Sequence, residues 1–259
     1  MNIFQAIIIA IVEGITEFLP VSSTGHMIIV QSILGIESTE FVKMFTVNIQ
    51  FGAILSVIIL YRKRFFQSFR FYVMLAVACI PLIIAWLLEK YIDAMLGSVM
   101  IVAFSMFTGG IVLLFTDRWF PDRKENQGNI TYLKALIIGL FQIISVIPGV
   151  SRSAATIIGG MSQKLNRKEA AEFSFFLAVP TMFAASLLKL SENYMAITSD
   201  NIWILIAGNV VSFIVAMIAI KTFINFLTTH GFRLFGYYRI FIGAVILILL
   251  FSGYQLSVL

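Results

Sequence analysis

Six apolar runs, each about as long as a bilayer is thick, dictate what this chain can become. They cover roughly residues 41–61, 71–88, 98–116, 172–190, 202–221 and 239–257. A helix needs about 20 apolar residues to cross the hydrocarbon core. No water reaches backbone N–H and C=O groups there, so each segment must satisfy them internally as a helix. A β-barrel would alternate apolar and polar residues, and these runs do not. With 60% hydrophobic residues, 12% charged and a mean hydropathy of +0.98, an ordinary soluble domain is excluded. The fold class is an all-α polytopic membrane protein.

Two further segments, about 3–34 and 131–158, are apolar but broken by Pro, Gly, Ser and charge. They read as re-entrant helix-loop-helix pairs that enter and leave on one side. The basic residues test this. Arg62, Lys63, Arg64 and Arg70 form one loop, and Arg118, Arg123, Lys124 and Lys134 a second. Lys164, Arg167 and Lys168 form a third, and Lys221, Arg233 and Arg239 a fourth, so fourteen of the 18 Lys and Arg lie in four loops. With both broken segments re-entrant, all four loops face one side, which the positive-inside rule makes cytoplasmic. Lys43, Lys90 and Lys189 fall opposite, and both termini lie outside. A net charge of +5 spread over such loops does not point to nucleic acid. The N-terminus lacks the basic region and cleavage site of a signal peptide. Cys79, the one cysteine, sits mid-run and reads as packing.

An internal repeat accompanies this plan. The stretch from Ala6 to Glu13 resembles that from Ala135 to Gln142, and Pro20-Val21-Ser22-Ser23 resembles Pro148-Gly149-Val150-Ser151 one residue out of step. Repeat 1 covers about 1–116 and repeat 2 about 131–257, each a broken segment followed by three spans. Three spans per half force the copies into opposite orientations. One hairpin then dips from outside and the other from inside, meeting near the midplane, where inverted-repeat proteins place their sites.

Polar residues concentrate in the two hairpins. The first carries Glu13 and Glu17, four apart and so on one helix face. An ionised side chain in hydrocarbon costs on the order of 2.5–3.5 kcal/mol or more, so such residues mark a site. Pro20 ends or kinks the helix, and Ser22-Ser23-Thr24-Gly25-His26 follows. The hydroxyls could simply cap the next helix, and a lone histidine is most often structural. His26 is weighed differently because it shares its segment with two carboxylates. His230 lies in a polar loop and reads as solvated.

The second hairpin carries Pro148-Gly149-Val150-Ser151-Arg152-Ser153-Ala154-Ala155-Thr156. Arginine presents a planar fork of donors that matches phosphate, and a following helix N-terminus adds N–H groups and a favourable dipole. Arg152 could instead form a plain buried ion pair with Glu13 or Glu17, but that leaves the hydroxyls unexplained. Together these are the parts of a phosphoryl-transfer site. Carboxylates hold a divalent cation or act as base, a hydroxyl or imidazole attacks, and Arg152 stabilises the transferring charge. The chain has no GxxxxGK[ST] loop and no HExxH, which argues against nucleotide-driven chemistry and a zinc protease of that class.

The stretch from Glu13 to His26 resembles the first signature of the bacterial undecaprenyl-diphosphatase (bacitracin-resistance) family, and Pro148 to Ser153 resembles the second. Asn48 to Leu55 and Ala170 to Pro180 are similar to further family segments. Ala154 stands where the family usually has Gly, and its methyl would tighten the phosphate loop. The resemblance implies hydrolysis of undecaprenyl diphosphate to the monophosphate and inorganic phosphate, recycling the lipid carrier of cell-wall synthesis. It implies an integral protein of the plasma (inner) membrane, with its site facing outside and a divalent cation, Mg²⁺ or Ca²⁺. By position, Glu13, Glu17, Ser23, His26 and Arg152 are the catalytic candidates, with Glu13 and Glu17 on the metal. Ser22, Thr24, Ser151, Ser153 and Thr156 are the substrate binders. Ser23 next to a carboxylate base and His26 as direct nucleophile both remain open.

The substrate also fits the bilayer. A polyprenyl tail stays in hydrocarbon among membrane lipids while its diphosphate sits at the interface, within reach of a re-entrant loop. A second copy of the chain is a candidate partner. The rival reading, from the inverted repeat, is a transporter or flippase of an anionic polyprenyl phosphate lipid.

Overall fold

The computed structural model describes residues 1–65, 68–87, 95, 98–122, 130–254 and 256. Arg123, Lys124 and Lys90 lie outside them. All regular structure among the described residues is helical. The first broken segment forms α1 (Ile3–Thr16) and α2 (Ser23–Ile33), followed by α3 (Glu40–Leu60), α4 (Phe69–Cys79) and α5 (Val99–Trp119). The second forms α6 (Tyr132–Ile144) and α7 (Arg152–Ser162), followed by α8 (Arg167–Asn193), α9 (Ile202–His230) and α10 (Arg233–Phe251). Side-chain caps start several of them: Asn2 with Gln5 and Asn166 with Glu169 close reciprocal capping boxes, and Thr39, Ser98 and Thr131 each accept a first-turn N–H.

Five helices, α3, α5, α8, α9 and α10, are long and apolar enough to span a membrane. The sixth expected span, 71–88, departs from the plan. Its helix stops at Cys79, breaks at Ile80-Pro81 and resumes as the short turn Leu82–Leu87, because Pro81 has no N–H to continue the ladder; residue 88 lies outside the described residues. The expected spans at 202–221 and 239–257 are displaced as well. Helix α9 runs on to His230, and α10 begins at Arg233, which carries Lys221 and Arg239 out of their assigned loop and into helices.

The legs of the hairpins are too short to cross. At 1.5 Å per residue, α1 is about 21 Å long and α2 about 17 Å, against a core of about 30 Å. Gln5 Nε2 donates to Leu34 O at 3.1 Å, so α2 returns to the level where α1 began. The basic loops gather at the other end. Arg64 lies 3.6 Å from Glu172, Arg167 bonds Asp117 at 2.7 Å, Asp117 also accepts from Phe232 N, and Arg70 stacks over the Tyr132 ring. The second hairpin therefore opens at the basic end and the first at the opposite end. Their turns meet inside: Ser153 Oγ donates to Leu19 O at 2.7 Å.

Each hairpin packs on the opposite half of the chain, α1 against α9 and α6 against α4. A Cβ on Gly139 would stand 2.2 Å from Ala78 O, so glycine lets α6 lie backbone to backbone on α4. Helix α3 packs on both α8 and α9, and α5 pairs with α10. A cluster of buried aromatics and aliphatics, including Phe18, Phe173, Phe175 and Phe223, fills the space behind the turns.

Candidate active site

The site lies where the two turns meet. Helix α1 ends because Pro20 cannot extend it. Glu17 caps the helix, and its N–H still bonds Glu13 O. The chain then passes through Ser22, whose φ of +71° is sparsely populated for a residue with a side chain, and α2 starts at Ser23. On the other side α6 ends at Ile144, and Gly149 turns the chain with a φ of +89°. A Cβ there would stand 2.4 Å from Val102 O, so position 149 needs glycine twice over. Ser151 caps α7, its Oγ accepting from Ala154 N, and Arg152 opens the helix.

Glu17 is the centre of the geometry. Ser23 Oγ donates to Glu17 Oε2 at 2.8 Å, and Arg152 Nη2 donates to Glu17 Oε1 at 3.2 Å. Arg152 Nη1 reaches Ser174 O on α8 at 3.1 Å, while its Nε is buried and free of any partner. A hydroxyl from one hairpin and a guanidinium from the other are thus bridged by one carboxylate. Glu13 lies one turn earlier, only 1% exposed, and neither of its carboxylate oxygens has a partner.

Glu17, Ser23 and Arg152 face a cavity of about 320 Å³. Of the expected residues, Glu17, Ser22, Ser23, Thr24, Ser151 and Arg152 line it. Glu13, His26, Ser153 and Thr156 are not among its lining. Ser153 bonds Leu19 O and Ser151 Oγ, and Thr156 bonds Arg152 O and Ser174 Oγ. His26 is held at both nitrogens: Nδ1–H donates to Ser22 O at 2.7 Å, and Nε2 meets Tyr238 OH at 2.7 Å. The ring also stacks on Tyr238. The methyl of Ala154 joins the hydrophobic cluster behind the turns and does not line the cavity.

Sequence reasoning missed several participants. Gln50 on α3, Gln142 on α6 and Thr181 on α8 line the cavity. Gln142 stood out only as the counterpart of Glu13, and its Oε1 is buried without a partner. Tyr238 and Arg239 come from the last helix. Arg239, read as a loop cation, is 1% exposed and bonds only backbone carbonyls. The signal for it was an arginine six residues into the run that begins at Arg233.

As for a cation, Glu13 and Glu17 offer an all-oxygen donor set, and the unpartnered oxygens of Glu13 fit a hard divalent ion. Among the described residues no group of three or more His, Cys, Asp or Glu side chains could hold a metal.

Residues 6–245 match the family model described as bacitracin resistance protein BacA. The chain is 58% identical to the undecaprenyl-diphosphatase of Flavobacterium psychrophilum and 56% identical to that of Flavobacterium johnsoniae, covering 100% of both chains in each case. It is 53% identical, again over 100% of both chains, to the undecaprenyl-diphosphatase of Porphyromonas gingivalis W83.

Proposed function

The chain belongs to the bacitracin resistance protein BacA family, and from that premise we propose that it hydrolyses undecaprenyl diphosphate to undecaprenyl phosphate and inorganic phosphate. The relatives named undecaprenyl-diphosphatase match it over their whole length. The observation that carries the chemistry is the bridge Ser23–Glu17–Arg152 across the meeting of the two turns.

Ser23 is the nucleophile in this reading. Its Oγ–H already points at Glu17, which takes the proton as Oγ bonds the terminal phosphorus. The bond from phosphorus to the bridging oxygen breaks, and undecaprenyl phosphate leaves. Water then cleaves the phosphoserine, releasing phosphate and restoring the hydroxyl. Arg152 and the N–H groups at the starts of α2 and α7 are placed to meet the charge that builds on the phosphoryl oxygens. His26, with both nitrogens engaged, supports the turn at Ser22 instead of attacking. Glu13 and Glu17 would hold a divalent cation, which when bound neutralises diphosphate charge. Ser153 and Thr156 act one layer back, fixing the turn of one hairpin and the start of α7.

The cavity suits a lipid head group. Its polar floor is the two turns, while Leu82, Met182 and Ala185 add apolar wall on which the first isoprene units can lie. Thr181, Met182 and Ala185 lie just past the middle of α8, counted from its basic end, which supports a site reached from the outer side of the plasma membrane.

The test is phosphate release from undecaprenyl diphosphate by purified protein, with and without EDTA, and by Glu17→Ala. Release that EDTA and the substitution abolish is expected. Movement of the lipid across liposomes without phosphate release would overturn the enzyme reading in favour of a flippase.

A further inference from the structure

A deeply buried arginine lies outside the set of groups that act on phosphate. Arg239 sits in α10, and among the described residues its guanidinium has no carboxylate partner. It donates instead to four carbonyls from three elements: Nε to Met106 O at 3.3 Å, Nη1 to Pro20 O at 3.3 Å, and Nη2 to Ser105 O at 3.2 Å and Gly149 O at 3.0 Å. Ser105 and Met106 belong to α5. Pro20 is in the turn of the first hairpin and Gly149 in the turn of the second. Turn carbonyls lack ladder partners and are costly to bury unpaired. The fold also makes room for the group, since a Cβ on Gly109 would stand 2.3 Å from Arg239 Nη2.

We infer that Arg239 is a positioning residue: it ties the turn carrying Glu17 and Ser23 to the turn carrying Arg152, and so sets the spacing at which hydroxyl, carboxylate and guanidinium meet. Each turn hangs from a hairpin that enters from its own end of the molecule, and backbone bonds to a common group register one against the other. A planar fork with five donors can reach three elements at once, whereas a lysine ammonium is a compact point of three donors and cannot. The neighbouring residue extends the same hold, since Tyr238 OH meets His26 Nε2 behind the first turn. The catalytic consequence rests on the phosphatase reading; the registration of the turns does not.

The experiment uses the full-length purified protein and the variants Arg239→Lys, Arg239→Gln and Gly109→Ala. The last presses on the guanidinium without removing it and keeps the test alive should Arg239→Gln fail to fold. In folded Arg239→Lys and Arg239→Gln, kcat should fall at least tenfold while KM changes less than threefold. Gly109→Ala should lower kcat less, and its effect should shrink in the Arg239→Lys background, because both changes act on one group. Hydrogen exchange should quicken in both turns together, across 17–24 and 147–153. A kcat within twofold of wild type in the folded variants would overturn the inference. So would a lowered Tm with exchange at the turns unchanged, the mark of a purely structural arginine. If the wild type releases no phosphate, the phosphatase reading fails, and the exchange measurement still decides the positioning role.

Discussion

Glu17 accepts from Ser23 on one carboxylate oxygen and from Arg152 on the other, and that division of labour makes the residue hard to replace. Glu17→Gln keeps the shape but removes the base and the charge that holds Arg152. Phosphate release should fall by about 10²–10⁴-fold, the range a positioned general base contributes. Arg152→Lys keeps a charge but loses the fork that spans Glu17 and Ser174 O. A loss of about 10²–10³-fold in kcat is expected, as for removal of a transition-state donor. Single-turnover assays on each variant, with wild-type binding of the lipid as control, check both. These residues were legible in the sequence because carboxylate, hydroxyl and arginine are anomalies in apolar runs. What their order along the chain left open was the pairing, and hence the choice between Ser23 and His26. That choice turns on which nitrogens of His26 are already bonded.

The hairpins are built from legs of 11–14 residues, and their turns carry the function. Gly149 allows the second turn by its positive φ and by the close approach of Val102 O. Gly149→Ala should cost on the order of 1–3 kcal/mol in backbone strain alone, and more through the clash. A lower Tm and a loss of activity are expected together, because the strained turn is also the wall of the cavity; a melting curve beside the phosphate assay reads both. At this scale the sequence was informative about breaks and less so about ends. The Pro, Gly and Ser clusters marked both turns. The start of α10 and the end of α9 were missed, since the expected span was closed at Lys221, which lies within the helix on an exposed face. That shift is what turned Arg239 from a loop cation into a buried one.

The molecule as a whole is two hairpins entering from opposite ends, each packed on helices of the other half. The basic loops converge at one end through Arg64–Glu172 and Arg167–Asp117, and the start of the chain lies at the other. In a background with Cys79 replaced, cysteine at Lys63 or Arg118 should resist impermeant thiol reagents added outside intact cells, and cysteine at Lys43 should react. Labelling of the first two from outside would reverse the orientation. By itself the sequence determined that the chain is helical and membrane-embedded, that two segments turn back, and which residue types would meet at their tips. Those properties follow from local quantities: hydropathy, helix breakers and the expense of charge in hydrocarbon. Only the tertiary structure decided that Glu17 bridges Ser23 to Arg152, that His26 is held by Tyr238, and that Arg239 binds both turns from behind. Each of those contacts joins residues from separate hairpins or helices, or turns on a bond angle at a hairpin tip, and one-dimensional patterning carries no record of which buried donor finds which carbonyl.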